Sequence, residues 1–100
     1  MSRLALFILA VTMAAPVAAD QKKIESCGYQ AQVVSAIQQA RRDRVPEREV
    51  PAHIRASDPA WPENYNDAIP LLTPWVYEQK RRTIRQEDLG AAWNEMCLQQ

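Results

Sequence analysis

Glycine is nearly missing from this chain: only Gly28 and Gly90 occur in 100 residues. Alternating runs of β-branched residues are missing as well, which leaves strands and hairpins with little support. Histidine occurs once, as His53, and cysteine twice, as Cys27 and Cys97. No HxxxH or CxxC pair and no acidic loop of calcium spacing is present, so no dedicated metal site and no cofactor is expected. An excess of one charge is also lacking, because 12 basic residues balance 12 acidic ones. That balance argues against general nucleic-acid binding, which depends on a strong basic field. A transmembrane helix needs about 20 apolar residues, and the apolar run Leu4–Ala15 is too short to span well.

What that run does resemble is the core of a signal peptide. Arg3 precedes it, Pro16 follows, and Val17-Ala18-Ala19 supply small residues ahead of a cut. One positive charge, an apolar stretch of roughly a dozen residues and small residues before the cut mark a secretory signal. The expected organisation is a signal peptide over residues 1–19 and a single helical domain over residues 20–100. The mature protein is then expected to be soluble in the periplasm, with no integral membrane segment once the signal is removed.

Export changes the meaning of the two cysteines, because thiols pair in an oxidising compartment. Cys27 and Cys97 have only each other. In the chain-entropy model, closing a loop of roughly 70 residues stabilises the fold by about 4 kcal/mol, which matters in a domain near the size where a core alone is marginal. A redox role would call for a CxxC pair or a thiolate-stabilising setting.

Helical spacing runs through the remainder. Ile24, Cys27, Ala31, Val34 and Ile37 recur at three- and four-residue steps, widened by Tyr29, Val33, Ala36 and Ala40. This pattern predicts an amphipathic helix from about Lys22 to Arg44. Gln30, Gln32, Gln38 and Gln39 are expected on its polar side, and Arg41, Arg42 and Arg44 at its negative end. Val45–Pro62 reads as a connector with a short helix starting near Pro46, in which Ser57 and Asp58 form turns. Tyr65, Ala68, Ile69, Leu72, Trp75 and Val76 predict a third helix, kinked or divided by Pro70 and Pro74. Glu78–Arg82 is expected as a polar turn. Thr83 and Gln86 fit a capping box for a last helix with Leu89, Trp93, Met96 and Cys97 on its core face. Gly28 and Gly90 are expected where helices approach closely.

The fold class expected is therefore all-α: a small irregular bundle of three to four helices clasped by one disulfide. Bonded cysteines need Cα atoms within about 7 Å, so the first helix must begin beside the end of the last.

Candidate sites are few. Ser35 or Ser57, His53 and Asp58 form a catalytic set only on paper, with no nucleophile elbow around them, so no enzyme is expected. Arg41, Arg42 and Arg44 and the Lys80–Arg85 cluster would make one anion-binding patch only if their turns project from neighbouring ends of the bundle. Solvated, scattered ends are the preferred expectation. Trp61, between prolines in the connector, is expected to be exposed and to anchor an interface, with Arg81 and Arg82 beside it.

Cys27-Gly28-Tyr29, Trp75-Val76-Tyr77-Glu78 and Leu89-Gly90-Ala91-Ala92-Trp93 with Cys97 resemble segments of small exported helical proteins of Gram-negative bacteria, a largely uncharacterised group. One disulfide joins the first and last helices in that group. The chain is also similar to the HdeA-type acid-stress chaperones in size, export, helical content and a single cysteine pair, although its cysteines lie much further apart. The function expected is a non-enzymatic periplasmic domain that binds another periplasmic or envelope protein. The alternative is an acid-stress holdase, with a small hydrolase or ligand-binding domain ranked third.

Overall fold

A computed structural model describes residues 17–100 of the chain. The expected signal peptide lies outside the described residues except for Val17–Ala19, which are the first residues of the first helix. Among the described residues there are five α-helices and no strand: α1 Val17–Arg42, α2 Val50–Ala56, α3 Ile69–Tyr77, α4 Arg81–Gln86 and α5 Leu89–Leu98. Two 3-10 turns, Glu47–Glu49 and Glu63–Ala68, lead into α2 and α3. No helix of the described residues is long and apolar enough to cross a membrane.

The long helix α1 is the spine, and every other helix packs on it, α5 and α3 most extensively. Its stripe supplies the centre of the core, with Val33, Val34 and Ile37 fully buried beside Val50, Ile69 and Val76 from the elements laid against it. Cys27 and Cys97 are bonded, with Cα atoms 5.7 Å apart, so the end of α5 lies beside α1. The expectation that the first helix begins there is corrected, because α1 starts at Val17, ten residues before Cys27. The all-α, disulfide-clasped bundle expected from the spacing is the fold observed, divided more finely than three or four segments.

The prolines explain that division. Pro51 and Pro70 occupy the first turns of α2 and α3, where a missing N–H costs nothing because that group has no helical partner. Pro74 sits inside α3, yet the buried face of Ile69, Leu72, Thr73 and Val76 holds the helix together.

Several local expectations are corrected. Glu78–Arg82 is not all turn, because Arg81 and Arg82 open α4. Thr83 does not cap the last helix, since it lies within α4. Asp88 caps α5 instead, accepting from the Ala91 N–H at 3.0 Å. Nothing lies within 4 Å of a Cβ built on Gly28, whereas one on Gly90 would meet the Ala31 carbonyl at 2.8 Å and the Ser35 hydroxyl. The close helix crossing is therefore at Gly90 alone. Ile24 and Met96 are exposed rather than core, because they flank the clasp where no further element covers them.

Candidate functional site

The far end of α1 from the clasp is built by an unusual helix stop. The Val45 N–H reaches back to the Ala40 carbonyl and the Arg44 N–H to the Arg41 carbonyl, the two bonds of a Schellman motif. That motif places the residue after the cap in the left-handed region, where glycine is the easy choice. Here the position holds Arg44, at φ 61°. A non-glycine residue there carries a strain of about 1 kcal/mol or more, and such strain gathers at working sites.

Arg44 opens onto a cleft of about 350 Å³ between the end of α1 and helix α4. Arg41, Arg42 and Arg44 come from the first basic run of the sequence, and Arg81 and Arg85 from the second. Val45, Tyr77 and Ile84 supply the apolar part of the lining. Among the described residues no acidic one lines the cleft. The preferred expectation of scattered arginine ends is thus corrected: the two runs converge, because α4 folds back against the last turns of α1.

Hydrogen bonds to backbone carbonyls hold this end in place. Buried Gln38 donates to the Ile84 and Glu87 carbonyls, at 2.9 and 2.7 Å, and accepts from the Leu89 N–H at 3.2 Å. It pins the whole α4–α5 junction to the spine. The Arg42 Nε donates to the same Ile84 carbonyl at 2.8 Å. Arg41 Nη2 donates to the Gln79 carbonyl at 3.1 Å, and its guanidinium sits 5.0 Å from the Tyr77 ring centroid, a cation–π distance. Its Nε is buried without a partner among the described residues. The Tyr77 hydroxyl donates to the Val45 carbonyl at 2.5 Å. Burial pushes the Tyr77 phenol above its ordinary range, against the Arg41 charge and with a smaller upward push from Glu47.

Arg41 and Arg42 are therefore oriented by the fold, while Arg44, Arg81 and Arg85 are exposed at the rim. Arg81 and Arg85 stand one helical turn apart on α4. Guanidinium groups are permanently charged and offer planar, forked donors that match carboxylates and phosphates. The arrangement can grip an anion that also has apolar surface.

The other expected site residues fall elsewhere. Trp61 is not exposed: it is 8 % accessible, belongs to the core, and its indole N–H donates to the Asn66 Oδ1 at 2.8 Å. The ring packs inward among the core residues. Arg82 is exposed on α4 but outside the cleft lining, with its Nε donating to the Gln86 side chain at 3.1 Å. His53 is exposed on α2. Ser57 ends that helix with its hydroxyl on the Ile54 carbonyl, and Asp58 takes a left-handed turn at φ 51°. Ser35 is exposed on α1 opposite Gly90. Among the described residues no three His, Cys, Asp or Glu side chains gather as a metal-binding group.

Sequence reasoning placed Gln38 on the polar side, and no pattern in the sequence marks it as buried. A signal for the cleft was present, since both basic runs adjoin helix ends, but its outcome depended on how α4 packs. No protein-family model, curated protein or solved structure matches this chain.

Proposed function

We propose that this chain is a non-enzymatic binding domain of the periplasm that holds another periplasmic or envelope protein through its arginine cleft. One observation carries the reading: two basic runs 40 residues apart in sequence, in an otherwise charge-balanced chain, meet around one cleft that no acid among the described residues lines. Arg44 adds weight, because a strained backbone position is occupied by a cation that the helix stop itself does not require. Of the residues expected at the interface, Arg81 lines the cleft and Arg82 flanks it. Trp61 supports the connector from inside.

Affinity capture from a periplasmic extract tests this. The disulfide-bonded protein is expected to retain one partner at constant stoichiometry, and the double variant Arg81→Glu with Arg85→Glu to lose it while melting at the same temperature. Capture that is indifferent to the charge reversal overturns the reading.

A further inference from the structure

The arrangement of the cleft also bears on the chemistry of what enters it. Arg81 and Arg85 are four residues apart on α4, a rise of about 6 Å. An extended peptide carries its i and i+2 side chains on one face at a repeat of about 6.7 Å. Two acidic residues in alternate positions therefore come into register with the two rim arginines. The residue between them points away from the two arginines, and Val45 and Tyr77 give the cleft lining apolar surface.

Two other anionic sources fit less well. A compact phosphate is usually cradled by backbone N–H groups at a helix N-terminus, whereas α1 brings its carbonyl end to this cleft and α4, whose first residue Arg81 also lines it, is only six residues long. A membrane surface would need apolar residues beside the basic ones. Among the described residues the large exposed apolar ones are Ile24, Leu71, Met96 and Leu98. Ile24, Met96 and Leu98 flank the clasp, and Leu71 lines a hollow with Ser26 and Gln30. From Ile24 to Arg42 the helix rises about 27 Å, so these apolar residues stand at a distance from the arginines rather than beside them.

Resting on the binding-domain reading, we propose that the cleft takes an extended acidic segment of the partner, with carboxylates in alternate positions around one apolar side chain. The exposed guanidiniums of Arg81 and Arg85 contact the carboxylates.

The test uses the full disulfide-bonded domain and isothermal titration with capped pentapeptides. The probe carries Glu-Leu-Glu at its centre, and its controls carry Gln-Leu-Gln and Glu-Ser-Glu. Inorganic pyrophosphate and phosphatidylglycerol vesicles are titrated in parallel. The Glu-Leu-Glu peptide is expected to bind tightest of the five, to weaken about tenfold or more in the Arg81→Gln, Arg85→Gln double variant, and to weaken as salt is raised. Circular dichroism and the melting temperature confirm that the variant is folded.

Equal affinity for Glu-Leu-Glu and either control peptide overturns the proposal, as does tighter binding of pyrophosphate or vesicles. Partner capture that depends on the arginines, combined with no preference for the acidic peptide, defeats this ligand chemistry alone. Capture indifferent to the arginines defeats the binding-domain reading itself.

Discussion

Two stretches of α1 are held by opposite means, one ten residues in from Val17 and one at its C-terminal end. At the first a covalent bond joins Cys27 to Cys97, and around it Ile24, Met96 and Leu98 are left in solvent. At the second no covalent link exists, and side chains of Gln38, Arg41, Arg42 and Tyr77 hydrogen-bond to backbone carbonyls across element boundaries. A covalent bond tolerates poor burial around it, so the clasp needs little core. A polar lattice tolerates almost no change, because each buried group left unpaired costs the full desolvation penalty. In return it fixes where the arginines stand.

Breaking the clasp gives the largest expected effect. Cys27→Ser with Cys97→Ser removes the constraint on a loop closed across 70 residues, and the loss is about 4 kcal/mol in the chain-entropy model. Urea unfolding of the wild type and the double variant measures it. A change below about 1 kcal/mol would show that the bond closes a structure already held by its core. Trp61→Ala comes next, since removing a core indole costs about 3 kcal/mol. The same denaturation series checks it, and a ring that stood in solvent would leave the midpoint unmoved.

Gln38→Leu acts on the polar end only. It keeps the volume but leaves the Glu87 carbonyl and the Leu89 N–H without their partners, at a cost of about 2 kcal/mol. Hydrogen exchange is expected to quicken over residues 84–90 and to stay unchanged near the clasp. Uniform acceleration along the chain would mean that the two stretches are not separate units. Arg44→Gly sharpens the contrast with the smallest change. Relieving the left-handed position is expected to stabilise the protein by about 1 kcal/mol while weakening partner capture. A variant that is more stable and binds as well would remove Arg44 from the site.

How much of this was legible in the sequence follows the same division. The spine, the antiparallel clasp and the core face of α1 could be read, because hydrophobic spacing and cysteine pairing act through local period and simple reach. Gln38 could not, since a buried glutamine inside a glutamine-rich helix has the same neighbours in sequence as an exposed one. Trp61 was misread because prolines on either side suggest an extended loop without saying which way its ring turns. The arginine runs were visible, but their meeting depends on the fold-back of α4. That fold-back is set by hydrogen bonds from residues about 40 to 50 positions away. Contacts of that separation leave no periodic trace.

The convergence of the two arginine runs on one ligand is tested most directly by nuclear magnetic resonance. The ¹⁵N-labelled, disulfide-bonded protein is titrated with the Glu-Leu-Glu peptide and its amide shifts are followed. The expected result is a single saturating set of changes covering residues 41–45 together with 77–85, and none around Cys27 and Cys97. Changes confined to one of the two runs, or centred on Ile24, Leu71 and Met96, would contradict a shared cleft.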